Sequence, residues 1–177
     1  NIEEDNKKPK APKPKKKKKK PMMKSFADFE TVTEGSKHVP YLCAIVSRRF
    51  GKRVFKGWDC AKKMLDFLED KYSRFNHTLI FHNAKYDFRA MVQELQINSY
   101  LTNGSAFITA RGHYERISVT IKDSLKLINK PLSKFGKMFK LKQAKEVMPY
   151  DLYTRHNVDT KMVSIKDGLA HLKTDEH

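Results

Sequence analysis

The chain has 177 residues, room for one domain with a real core, and its 37 Lys and Arg against 20 Asp and Glu give a formal net charge of +17 at pH 7. No stretch reaches the roughly 18 apolar residues of a membrane span, and no signal peptide is visible. Cys43 and Cys60 are too few for a disulfide framework or a metal cluster, and read as reduced, buried residues of an intracellular protein.

Residues 1–21 are low-complexity lysine and proline, ending in Lys15 through Lys20 and Pro21. Such a segment cannot bury enough apolar area to offset chain entropy and is expected to be disordered. Three readings of it stay open: a nuclear localisation signal, a nonspecific DNA-binding arm, or a solvated linker. The charge is not confined to this tail. Residues 1–25 hold eleven lysines against Glu3, Glu4 and Asp5, while the remainder holds 26 basic and 17 acidic residues. A basic body of this kind suits a polyanionic partner.

From residue 22 onward the pattern is that of one domain, 22–177. Residues 22–29 read as a strand. Residues 41–50 and 53–58 read as an antiparallel hairpin turning at Gly51-Lys52. The period then shifts: Cys60, Met64, Phe67 and Leu68 share one helical face, Asp59 is a candidate N-cap, and the helix runs to about Tyr72. Trp58 reads as core. Residues 78–81 form a short apolar strand of the buried type. A helix over 85–95 turns Phe88, Met91, Val92 and Leu95 inward. A second hairpin joins 105–111 to 115–121 through Gly112-His113, and Pro131 opens a short helix over 131–139. Strands first, then helix, strand and helix, predict an α/β fold with a mixed central sheet flanked by helices.

Two short stretches carry the chemistry. Asp28 and Glu30 stand two apart on the first strand, so both point to one face and can converge on one cation. Asn83 and Asp87 stand four apart where the chain leaves the strand 78–81 and turns into a helix, and so share a helical face. A strand-borne acid pair and a helix-borne acid can meet around two divalent cations, the arrangement by which nucleases stabilise the attacking and leaving oxygens at phosphorus. Hard Mg²⁺ prefers oxygen ligands, so His82 is read as a contact to single-stranded DNA. Tyr86 offers a platform on which an unpaired base can stack. His38, His77, His113, His156, His171 and His177 form no usable ligand spacing.

With these residues the chain resembles a known family. Ala27-Asp28-Phe29-Glu30-Thr31 looks like the first exonuclease motif of family B DNA polymerases, and Phe81-His82-Asn83-Ala84-Lys85-Tyr86-Asp87 resembles their second, in its protein-primed form. Lys122-Asp123-Ser124-Leu125-Lys126-Leu127 matches the family's Ser/Thr-Leu-x-x-hydrophobic motif for single-stranded DNA. Pro131-Leu132-Ser133-Lys134-Phe135 and Phe139-Lys140-Leu141 resemble the segment that follows it, and Lys145-Glu146-Val147-Met148 fits the Lys-x-x-hydrophobic motif.

The resemblance implies a ribonuclease-H-like 3′–5′ proofreading exonuclease domain. It implies two Mg²⁺ or Mn²⁺ ions held by Asp28, Glu30 and Asp87, with Lys145 assisting cleavage. Thr31, His82, Asn83, Tyr86, Ser124 and Leu125 would hold the single-stranded 3′ end. Asp123 is read as a strand-end residue near the DNA channel. The implied partners are DNA, a polymerase domain C-terminal to this region and a terminal (primer) protein, with no membrane. The implied setting is the nucleus, cytoplasm or organelle of a host cell.

The family's third motif, Tyr-x-x-x-Asp, is not found: Tyr153 and Asp159 are six apart, and Arg155 stands four before Asp159. The chain is therefore read as ending before that motif. A catalytically incomplete nucleic-acid-binding fragment and a stand-alone nuclease of the same fold remain as alternatives.

Overall fold

The computed structural model describes residues 19–142, 152–159 and 164. Its centre is strand β1 (Met22–Glu34), whose first half alternates Met23 and Ser25 inward with Met22 and Lys24 outward. β2 (Lys37–Ser47) runs antiparallel to it, and β3 (Gly51–Lys56) runs antiparallel to β2. Helix α1 (Cys60–Tyr72) carries the chain back across the sheet, and β4 (Asn76–Phe81) pairs parallel to β1, from Met22↔Asn76 to Phe26↔Ile80. Helix α2 (Lys85–Met91) follows. The antiparallel set β5 (Gln96–Asn103), β6 (Ala106–Tyr114) and β7 (Ile117–Asp123) then brings β7 in parallel to β4. The seven strands lie in the order β3-β2-β1-β4-β7-β6-β5. This is the mixed, helix-flanked sheet that the sequence predicts, in ribonuclease-H-like form.

The core lies between one face of the sheet and α1. Met64, Leu65 and Leu68 are fully buried against Cys43, Ile45 and Leu79. Each of these side chains contributes about 1.5–3 kcal/mol by leaving water. On the opposite face Met22, Phe26, Val46 and Val54 remain exposed. The two edges differ. β3 carries Lys52, Arg53 and Lys56, whereas β5 carries no charged residue and is broken by irregularities at Ile97/Ser99 and Leu101/Thr102.

Several sequence expectations shift. The first hairpin turns through Arg48, Arg49 and Phe50, and Gly51, at φ 68°, already belongs to β3. Asp59 occupies the N-cap position of α1 without a capping hydrogen bond; its carboxylate lies 2.7 Å from Lys63 Nζ instead. α2 stops at Met91, and Val92 faces solvent. Strand β5 was not predicted, because it is exposed along both faces and shows no alternation. Gly112 does not turn a hairpin: a Cβ there would stand 2.7 Å from the Gln96 carbonyl oxygen, so the glycine allows β5 to approach β6. The turn falls at Glu115-Arg116, with Glu115 at φ 45°. Around Pro131 the chain makes a short 3-10 helix, Leu132–Lys134, before α3 (Phe135–Met138). Trp58 is 37% exposed rather than core. The tail expectation for residues 1–18 lies outside the described residues; Lys20 is anchored, its Nζ donating to the carbonyls of Ser73 and Arg116.

Candidate nuclease site

Three parallel strands, β1, β4 and β7, point to the same side of the sheet, and the described candidates lie beyond the last β1–β4 pair, Phe26↔Ile80, or at and just after the end of β7. Crevices at the carboxyl ends of parallel strands are where α/β sheets bind ligands. β1 and β4 pair only as far as Phe26↔Ile80 and then part. In the gap, Asp87 of α2 accepts a hydrogen bond from the Phe29 N–H at 3.2 Å, satisfying a backbone donor the ladder has released. Asp87 is buried, and burial first, then the Asp28 charge, pushes its carboxyl up to about 7; Asp123 adds a smaller push. Asp28 is exposed on β1, opposite Ala44 of β2. Beneath the pair, the Cys43 thiol is pushed well up by burial and by neighbours that include both aspartates.

Glu30 is half-buried opposite Leu42, and β2 then carries Tyr41 as an extra residue, so that Thr31 faces Pro40. Strand alternation turns Thr31 to the face opposite Asp28 and Glu30. Burial and then Glu30, Tyr153 and Asp159 raise the Tyr41 phenol, so that Asp159 lies within electrostatic reach of Tyr41. Arg155 lies 3.6 Å from the Glu34 carboxylate and covers the Trp58 ring at 4.9 Å. Asp159 thus comes near Tyr41 of β2, although its spacing from a tyrosine does not fit the third motif.

The stretches Phe81–Asp87 and Lys122–Leu127 are laced together. Asp123 Oδ1 accepts the N–H of Asn83 and the N–H of Leu125, each at 2.9 Å. Ser124 Oγ donates to the Phe81 carbonyl at 2.9 Å and lies 3.0 Å from His82 Nδ1. His82 Nε2 lies 3.0 Å from the Lys130 carbonyl, and its ring meets Phe135 edge-on at 5.1 Å. Asn83 and Leu125 stand where two grooves meet. One, of about 370 Å³, runs past His82, Lys130 and Leu132; the other, of about 260 Å³, runs past Lys85, Tyr86, Phe107 and Lys126. Tyr86 is 57% exposed there, its ring edge-on to His38. Lys145 lies outside the described residues.

The family model for DNA polymerase type B, organellar and viral, matches residues 68–174. The chain belongs to this polymerase family. No curated protein matches it significantly. Among solved structures, this chain is similar to Phi29 DNA polymerase complexed with primer-template DNA and incoming nucleotide substrates. The TM-score is 0.59 at 19% identity, over 86% of this chain and 28% of that one. The orthorhombic crystal form of Phi29 DNA polymerase gives 0.60 at 18%, over 86% and 28%. The complex with single-stranded DNA gives 0.59 at 18%, over 86% and 29%. At this identity the likeness establishes the fold, and the chain spans under a third of the length of those structures.

Family membership points to divalent metal use, and the donor chemistry can be tested against it. Among the described residues no group of three or more His, Cys, Asp or Glu is assembled tightly enough to hold a metal ion. What the chain does bring together is Asp28 and Asp87, two oxygen donors held at electrostatic cost. One or two carboxylates suffice for Mg²⁺, which keeps much of its water shell. The pair fits such an ion, with Glu30 on the same face of β1. Among the described residues no helix is long and apolar enough to cross a membrane.

Proposed function

We propose that this chain is the 3′–5′ proofreading exonuclease portion of a protein-primed DNA polymerase, hydrolysing phosphodiester bonds at a frayed 3′ end. The observation that carries the reading is the Asp28–Asp87 pair, together with two grooves that meet at Asn83 and Leu125, one lined by Lys130 and the other by Lys85 and Lys126. When bound, two Mg²⁺ or Mn²⁺ ions supply the charge that stabilises attacking and leaving oxygens at phosphorus. Asp28 and Asp87 hold that charge in place, with Glu30, and Asp159 from the far side of Tyr41, as the next acids within reach. The exposed lysines draw the phosphate backbone, and Lys145 is assigned to the phosphate under attack. Tyr86 offers an exposed ring to an unpaired base, a contact worth about 1–3 kcal/mol. Asn83, Leu125 and His82 shape the groove that takes the strand, Ser124 supports His82, and Thr31 flanks the acids from the other face of β1.

The lack of a three-acid group among the described residues favours a second reading, a nucleic-acid-binding unit that keeps the groove but not the chemistry. One experiment separates the two. A 5′-labelled single-stranded oligonucleotide is incubated with Mg²⁺ and either residues 1–177 or the longer polymerase. Binding by both, with 3′ shortening by the longer protein, supports the proposal. Binding without shortening by the longer protein supports the second reading.

A further inference from the structure

Asp123 ends β7 in register with Phe81 of β4 and leaves only 6% of its surface to solvent. One of its oxygens does two things. By accepting the Leu125 N–H it caps the 3-10 helix Ser124–Lys126, and by accepting the Asn83 N–H it reaches back across 40 residues to the end of β4. Asn83 has φ 65°, a left-handed conformation that asparagine adopts more readily than other residues with a side chain, and its N–H is turned to Asp123 there. Asn83 and Leu125 are also the two residues common to both grooves. A single carboxylate oxygen therefore fixes both residues at the meeting point. The neighbouring Ser124 hydroxyl is turned inward as well, spanning the Phe81 carbonyl and His82.

The geometry points to Asp123 as the positioning residue of this groove, holding Asn83 and Leu125 in fixed relation, and not as a further metal ligand. The functional side of this statement rests on the groove being the seat of a single-stranded 3′ end. The oxygen that accepts two short N–H bonds is committed to the backbone amides of Asn83 and Leu125. Ser124 acts in the same way on His82, so that Asp123-Ser124-Leu125 work as a latch between the ends of β4 and β7.

The test uses residues 1–177 with three substitutions, Asp123→Asn, Asp123→Ala and Asp28→Ala. Amide hydrogen exchange is followed at Asn83 and Leu125, Mn²⁺ affinity with the metal alone, and oligonucleotide affinity by anisotropy. Asn keeps an acceptor at the same place, so Asp123→Asn should leave exchange and oligonucleotide affinity within about twofold of the unaltered chain. Asp123→Ala removes it and should speed exchange at both amides, and weaken the oligonucleotide, by at least about tenfold. Mn²⁺ affinity should fall in Asp28→Ala and stay in Asp123→Asn. Loss of Mn²⁺ affinity in Asp123→Asn to the extent seen in Asp28→Ala would overturn the assignment, as would unchanged exchange in Asp123→Ala. If the alanine variant does not fold, the asparagine variant still decides between latch and ligand. Failure of the unaltered chain to bind the oligonucleotide would count against the proposed function, while exchange and Mn²⁺ would still settle the place of Asp123.

Discussion

Two aspartates, Asp87 beside β1 and Asp123 between β4 and β7, are each 6% exposed, and their surroundings differ in kind. Asp123 receives two backbone N–H groups on one oxygen. Asp87 receives one, from Phe29, and has the Asp28 carboxylate for a neighbour. A buried acid surrounded by amides belongs to the scaffold. A buried acid placed near another acid is held at a cost, and such costs concentrate where a site awaits a charged ligand. The comparison separates machinery from support without reference to motif.

The comparison breaks most visibly in cleavage. In the longer polymerase, the double variant Asp28→Ala, Glu30→Ala should lower 3′ shortening by about a thousandfold or more while leaving single-strand binding in place. A gel assay with Mg²⁺ reads this, and undiminished cleavage would remove the acids of β1 from the machinery.

A smaller effect is expected in stability against pH. Asp87 titrates higher in the folded chain than in the unfolded one, because burial and Asp28 both disfavour its charge. Its stabilising contribution is present in full below the unfolded value near 4 and is lost as pH rises through about 7. In EDTA, urea unfolding should therefore show a fall of a few kcal/mol over that window, and Mg²⁺ should reverse it. His77 acts in the opposite sense. It is buried, chiefly desolvation lowers its pKa, and its contribution is lost as pH falls below about 6.5. The Asp87 limb is best read in a His77→Leu background.

Direct substitution at the two acids sharpens the contrast. Metal-free and at pH 8, Asp87→Asn should stabilise the chain by about 1–3 kcal/mol, since it removes a disfavoured charge. Asp123→Ala should destabilise it by about 2–3 kcal/mol, since two buried N–H groups lose a charged acceptor. Chemical denaturation measures both, and equal signs would erase the distinction.

The smallest effect concerns the tail. Deleting residues 1–21 leaves a net charge of about +10. The slope of log affinity against log salt for single-stranded DNA should flatten, because fewer lysines release counterions, while binding persists. Abolished binding would shift the interface from the grooves to the tail.

How much of this was legible in the sequence depends on where the signal lived. The approach of Asp28 and Asp87 followed from strand and helix spacing beside apolar runs, as did β4 and α1. Strand β5 was silent because it is wetted on both faces, and Gly112 misled because the same residue serves turns and close backbone approaches. The double role of Asp123 was invisible for a different reason. Its partners are backbone amides, which every residue but proline carries, so no residue type announces them. Asp159 escaped because its nearness to Tyr41 arises from the chain's path between distant segments, not from local spacing.

The unequal edges of the sheet have a consequence for the behaviour of concentrated solutions. β3 is kept apart from other chains by Lys52, Arg53 and Lys56, a repulsion that acts over about 10 Å at 0.1 M salt and shrinks as salt is added. β5 has no charges, and its protection is the broken register at Ile97/Ser99 and Leu101/Thr102, a matter of shape that salt does not screen. As ionic strength rises, sheet-to-sheet association between molecules should therefore begin along β3, the edge that is better guarded in dilute buffer.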